Sequence, residues 1–329
     1  PLESDRKLSL LEHMLLAHER RQRMIASITA QWREGMLPLL LAELAQANDA
    51  ANQAQGNDQQ MWARMIVEIG SLVMRRFEPV RHLRDYVHLV MIVQNMQSLL
   101  NRGEDALFTA KWINTIMARY DLDTIRPRSS GAHLVINSLY AEIIALRNLN
   151  LPKPAEQLGL LIQSLLRSTN DPGAHYWLPH VLRAQAESIC EQPRFTLSYA
   201  EASIHQGRRI VEARKDSDAA DTLLLLDKAL LNAYIAYGSE RSLKKGYALE
   251  RQLEAQLAGG TFSPIRRAVV LASLTAYYHR MHEMDTFHAR LVEHVQLAAQ
   301  VGLTHQLNRA RNRYGAVVDM INAGIVSDE

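Results

Sequence analysis

Cysteine is almost missing from this sequence, because Cys190 is the only one in 329 residues. A lone cysteine forms no disulfide within the chain and supplies no thiolate metal cluster. Apolar runs are also short. The nearest candidate for a membrane span, VHLVMIV at residues 87–93, falls far below the ~18 apolar residues that a spanning helix needs. We therefore expect a protein of the cytoplasm that has no membrane partner.

Glycine and proline are scarce as well, with 15 and 10 residues respectively, and aromatic residues make up 6% of the sequence. Such a composition is poor material for a β-sandwich or a barrel, whereas abundant Leu and Ala favour helices. The charges are nearly balanced, with 37 basic and 35 acidic residues. This balance does not favour a nucleic-acid partner. The composition predicts an all-α protein.

Helical segments separated by short breakers follow one another along the chain. In the first third, a polar hinge is predicted at residues 51–60, and the predicted helices span about residues 5–33, 37–51, 59–77, 80–101 and 104–120. The stretch DLDTIRPRSSG at residues 121–131 is the least helical part of the sequence. We therefore expect three regions: an N-terminal helical region at 1–120, a loop or boundary at 121–131, and a repeat array at 132–329.

The repeat array is predicted from a regular spacing of helix pairs. Pairs begin near Ala132, Ala174, Ser217 and Pro264, and a last helix spans about residues 304–323, so that the starts lie about 40 to 47 residues apart. A small residue beside an aromatic recurs with this spacing, in NAY at 232–234, TAY at 275–277 and YGA at 314–316. The pattern predicts an α-α superhelix, a solenoid of antiparallel helix pairs.

One stretch carries a resemblance to a known family. Tyr234, Gly238, Leu243 and Tyr247 follow the order of aromatic, turn, small or apolar, and aromatic positions of the tetratricopeptide (TPR) repeat. The repeats are longer than the standard TPR, and Leu243 stands where Ala is usual. The sequence therefore resembles the degenerate TPR-like domains that form sensor arms of bacterial transcription regulators and signalling ATPases. The resemblance implies a peptide- or protein-binding regulatory domain.

A concave surface built from the first helix of each pair is the expected binding site of such an array. Lys228 and Asn232 lie four residues apart, so both can point to one side of a helix. In TPR domains that clamp a peptide carboxylate, a Lys and an Asn occupy this spacing. Arg311 and Asn312 lie on the equivalent helix further on. The resemblance thus implies a groove with these four ligand-binding residues; the alternative is that they are ordinary solvated helix residues.

Basic clusters are spread along the chain, and acidic residues lie close to most of them. Within NRARNR at residues 308–313, Arg309 and Arg313 share a helix face at i and i+4, and they form a candidate basic patch. Aromatic residues do not interleave with the clusters, as they do in single-strand binders. A solvated, salt-bridged outer face is the alternative for the other clusters.

The residues also leave two alternative functions open. The predicted helix at residues 5–33 carries an apolar stripe that could pack against a second copy, which indicates a self-assembling adaptor; its members are Leu8, Leu11, Met14, Leu15, Met24 and Ile28. A metal-dependent helical enzyme is the other alternative, since His279, His282 and Glu283 lie close together in the sequence.

No phosphate-binding loop, nucleophile elbow or dinucleotide fingerprint occurs in the sequence. We therefore expect a protein that is not an enzyme, with no catalytic residue, no bound metal and no cofactor.

Overall fold

The computed structural model describes fourteen helices and, over the residues it describes, no strand. The described residues are 23, 37–53, 56–76, 83–100, 102–119, 131–168, 170, 172–214, 216, 218–259 and 262–322. The all-α fold class is confirmed for this part of the chain. Two compact units divide the chain, residues 1–125 and residues 126–329. The predicted helix at 5–33 and the predicted loop at 121–131 lie outside the described residues, except for residue 23 and for Gly131, where a helix begins.

The first unit contains four described helices, each packed on the next, and the first also contacts the third. They are α1 Leu37–Gln53, α2 Gly56–Arg76, α3 Leu83–Leu99 and α4 Gly103–Arg119. The helices predicted here are confirmed, but most of the polar hinge at 51–60 is wrong. Helix α2 takes up its second half because Asp58 lies in the first helical turn, where the helix dipole favours a negative charge, and Gln59 is buried.

The second unit contains ten described helices. They are α5 Gly131–Asn148, α6 Pro152–Arg167, α7 Pro172–His175, α8 Leu178–Cys190, α9 Leu197–Glu212, α10 Ala219–Tyr237, α11 Glu240–Ala258, α12 Pro264–Met281, α13 Met284–Gln300 and α14 Thr304–Asn322. Their starts confirm the predicted last helix and three of the four predicted pairs; near Ala174 the structure has the one-turn helix α7, and the first helix of that pair, α8, begins at Leu178. The residues between the helices end one helix and cap the next. Gly238 ends α10 in a left-handed conformation (φ 70°), and the Ser239 hydroxyl then caps α11 by accepting the Ser242 backbone N–H at 3.1 Å.

Apart from the one-turn helix α7, the helices of the second unit form two layers. We call α5, α8, α10, α12 and α14 the first helices, and α6, α9, α11 and α13 the second helices. Each first helix contacts the next first helix, whereas each second helix packs mainly between two first helices. Stacking of this kind gives an α-α superhelical array whose inner layer is made of the first helices.

Aromatic side chains and small residues close the core between the pairs. The Tyr277 ring is almost fully buried, and its hydroxyl donates a hydrogen bond to the Leu243 carbonyl oxygen at 3.0 Å. A Cβ atom at Gly246 would come within 2.8 Å of this ring, so α11 approaches α12 closely only because that position is glycine. The pairing of a small residue with an aromatic ring therefore sets the distance between α11 and α12.

Within the described ranges, no helix is both long enough and apolar enough to span a membrane.

Candidate functional site

A groove of about 650 Å³ runs across the first helices of the second unit. All five first helices contribute to its lining, and His294 of α13 adds a side chain from the second layer. Its floor lies on α10 and α12 and consists of small apolar residues: Ala229, Ile235, Ala236, Val269, Ala272 and Ala276. Three- and four-residue spacing places each of these sets on one helix face. The floor can therefore receive apolar parts of a ligand without offering a deep pocket for a large ring.

One side of the groove is an ion network that we call the Glu187 network, formed by Arg147, Glu187, Glu191 and Lys228. Lys228 Nζ lies 2.9 Å from Glu187 Oε1, and Arg147 Nη1 lies 2.5 Å from Glu187 Oε2. Arg147 Nη2 also donates to Glu191 Oε1 at 2.8 Å. The network therefore joins three successive first helices, α5, α8 and α10, and its two cations balance its two carboxylates.

Burial and pairing both act on the protonation of this network. Only 6% of the Glu187 side chain and 15% of the Lys228 side chain are exposed. Burial alone raises the pKa of Glu187, but the attraction of Arg147 and Lys228 outweighs it and holds that pKa far below its usual range. Burial lowers the pKa of Lys228, and Glu187 opposes that shift. Glu187 is thus ionised at neutral pH, and Lys228 is neither solvated nor free.

The opposite side of the groove is what we call the α14 wall, formed by Gln306, Arg309, Asn312 and Arg313. Arg309, Asn312 and Arg313 are exposed. Within the described residues, neither arginine forms an ion pair. The Gln306 side-chain oxygen Oε1 accepts a hydrogen bond at 3.0 Å from Nε2 of the buried His294, which fixes its amide at the edge of the groove. This wall carries two positive charges and no carboxylate.

Helix α14 is kinked at Tyr314, whose backbone is not helical (φ −130°, ψ 25°). The Tyr314 ring packs against the rings of His279 and Phe287, with centroids 5.2 and 5.1 Å apart. This aromatic contact anchors the bent segment to α12 and α13. The α14 wall is therefore held in place from behind, although its charged side chains face solvent.

The groove brings most of the predicted ligand-binding residues together. Lys228, Asn232 and Asn312 all line it, together with both members of the predicted basic patch. Arg311 does not belong to the lining; its Nε lies 3.4 Å from Asp319 Oδ1, and both side chains are exposed. Helical geometry accounts for this, because residue 311 faces away from the helix side that carries residues 306, 309 and 313.

The three candidate metal ligands have other surroundings. His279 stacks on Phe287 at 5.0 Å, His282 ends α12 in a left-handed conformation (φ 60°), and Glu283 is the residue before α13. No group of three His, Cys, Asp or Glu side chains that could hold a metal ion is found in the described ranges. The metal-enzyme alternative thus gains no support from this part of the chain. Burial raises the pKa of Cys190 to about 12, so its thiol stays protonated at neutral pH.

An aromatic cluster next to the groove was not anticipated from the sequence. The rings of Tyr140, Tyr176, Trp177 and His180 lie 5.4–6.1 Å apart, and the Arg214 guanidinium lies 4.3 Å from the Tyr176 centroid. Burial, aided by the positive charge of nearby arginines, lowers the pKa of His180 to about 4. The usable signal was the spacing of His180, Arg183 and Glu187, which puts polar groups along one face of α8.

Neither the models of protein families nor the curated proteins give a match to this chain.

Proposed function

We propose that residues 126–329 form a TPR-like regulatory module that binds a peptide segment of a protein partner in the groove of the first helices. In this proposal the module is the sensor part of a bacterial signalling or transcription-control protein and works in the cytoplasm. The observation that carries the proposal is the groove itself, which crosses all five first helices and has an apolar floor between two polar sides.

The lining suits a peptide better than a small polar metabolite. Alanine, valine and isoleucine on the floor offer apolar contact along α10 and α12, while the amides of Asn232 and Asn312 offer donors and acceptors for a peptide backbone. An open groove that crosses several stacked helices suits an extended chain. The proposal therefore assigns backbone recognition to the asparagines and side-chain recognition to the floor and the charged sides.

Regulation follows from the way the first helices are joined. The Glu187 network ties α5 to α8 and α8 to α10, so a ligand that changes one contact also acts on the angle between neighbouring pairs. Small shifts between stacked pairs alter the pitch of a solenoid. We propose that binding is passed to an effector by such a shift.

The test is a pulldown from lysate of the source cells with the intact chain, read by mass spectrometry. An Ala272→Trp variant fills the groove floor without changing any charge. Ala289→Trp makes the same substitution at an exposed position of α13 and serves as the matched control. A partner that is lost with Ala272→Trp and retained with Ala289→Trp supports groove binding. A partner retained equally by both variants contradicts it.

A further inference from the structure

The cations that line the groove are in two different states. On the α5–α10 side, Arg147 and Lys228 are both engaged by Glu187. On the α14 wall, Arg309 and Arg313 are exposed and form no ion pair with any described residue. A carboxylate that enters the groove therefore meets one side where positive charge is already neutralised and one side where it is open.

The neighbouring helices explain this difference. Helix α8 supplies Glu187 to the cations on either side of it, and Glu191, which caps the end of α8, supplies a second carboxylate to Arg147. Helix α12, the first helix that adjoins α14, contains no Asp or Glu between Pro264 and Met281. It therefore has no carboxylate to offer the arginines of α14. The asymmetry is built into the sequence of the first helices.

Glu187 is also well placed to exclude a ligand carboxylate. Both of its oxygens are used, Oε1 by Lys228 and Oε2 by Arg147, and its side chain is almost fully buried. A ligand carboxylate would have to displace the buried Glu187 carboxylate from Lys228 and Arg147. The negative charge of Glu187 would repel the ligand as it approached. The cation and amide at Lys228 and Asn232 are therefore not open as a carboxylate clamp.

We propose that Glu187 acts as a built-in carboxylate that occupies the cations on the α5–α10 side, so that the groove receives an acidic peptide group only at Arg309 and Arg313 of α14. This inference rests on the proposed peptide-binding function. It names an acidic peptide as the ligand class and Glu187 as the residue that determines where its charge is bound. The two arginines lie one helical turn apart on one face and line the groove together with Gln306 and Asn312, so a single acidic group can reach both guanidinium groups.

The first experiment uses fluorescein-labelled hexaglutamate as the probe and hexaglutamine as the uncharged comparison, with binding followed by fluorescence anisotropy. We expect Arg309→Gln/Arg313→Gln to weaken hexaglutamate binding about tenfold, since each exposed charge pair contributes modestly. Arg311→Gln removes the same charge from the same helix but outside the groove, and it should leave the affinity unchanged. Equal losses in both variants, or no hexaglutamate binding by the intact chain, overturn the proposal.

The second experiment tests the α5–α10 side of the groove by removing the charge of Glu187. Glu187→Gln frees Lys228 and leaves Arg147 paired with Glu191 alone, and we expect about tenfold tighter hexaglutamate binding with a steeper dependence on salt. Glu240→Gln, which removes an exposed acid of α11, is the control for overall charge and should change little. Glu187→Gln/Lys228→Met keeps the local charge sum of the intact chain and should return the affinity to its value. Unchanged binding by Glu187→Gln, or tight binding by the charge-compensated variant as well, overturns the proposal.

Circular dichroism melts of every variant show whether it is folded at the assay temperature. The proposed function is judged separately, by whether a partner depends on Ala272. If Ala272→Trp loses its partner while the arginine and Glu187 variants behave like the intact chain, peptide binding stands and only the assignment of charge fails.

Discussion

Replacing Glu187 by Gln should destabilise the protein more than almost any other single polar change. The substitution is isosteric, so it leaves no cavity, but it removes the charge that holds Arg147 at 2.5 Å and Lys228 at 2.9 Å. Both cations have only 15% of their side chains exposed. Breaking a buried pair from one side costs about 3–5 kcal/mol, because the remaining charge stays desolvated. We expect the lower end, about 3 kcal/mol, since Arg147 keeps Glu191.

Urea denaturation followed by circular dichroism measures this free energy of unfolding. For a unit of this size, a loss of about 3 kcal/mol corresponds to a fall in melting temperature of roughly 6–12 °C. A double-mutant cycle with Lys228→Met isolates the pair: the double variant should lose about 1–2 kcal/mol less than the two single losses added together. A loss below about 1 kcal/mol for Glu187→Gln, or an additive cycle, would refute the claim that Glu187 holds the two cations.

Three other predictions test separate features. His180 has a pKa near 6.5 in the unfolded chain and about 4 in the folded chain, so the unfolded chain binds the proton first as the pH falls. The free energy of unfolding should therefore fall by about 2 kcal/mol between pH 6.5 and pH 5. In urea titrations, His180→Gln should abolish this part of the pH dependence. Gly246→Ala should cost about 1–3 kcal/mol because its Cβ would meet the Tyr277 ring, whereas Gly315→Ala, with open space around it, should be neutral or slightly stabilising; equal effects contradict this packing. Removing residues 1–36 should leave partner capture intact, and a drop from dimeric to monomeric mass in light scattering would instead favour self-assembly.

The helix pairs could be predicted from the sequence because their ends are marked by local chemistry. Pro264 follows the capping residue Ser263, and Gly238 precedes the capping residue Ser239. Each helix boundary can therefore be recognised from the few residues next to it. The hinge at residues 51–60 failed for the opposite reason. Its polar residues are compatible with a helix as well as with a loop, and the burial of Gln59 in the folded unit cannot be read from the local sequence.

The state of Lys228 could not be predicted from its own surroundings in the sequence. Its spacing to Asn232 correctly indicated a shared position in the groove, but its partner Glu187 lies 41 residues away. Similar separations occur in other contacts of the array, at 40 residues for Arg147 and Glu187 and at 43 for Tyr140 and Arg183. These separations equal one repeat. Opposite charges one repeat apart are therefore a signal that sequence reasoning could have used.

This one-repeat rule connects stability to the proposed recognition. In a solenoid, equivalent positions of adjacent first helices are neighbours, so a polar group on one helix is satisfied or left open by the residue one repeat away. Arg147 and Lys228 meet acids of α8 and become part of the structure. One repeat before Arg309 lies the start of α12, which carries Arg266 and Arg267 but no acid. A charge that the fold leaves unpaired inside a groove remains available to a ligand, and α14 is where the described array leaves such charges.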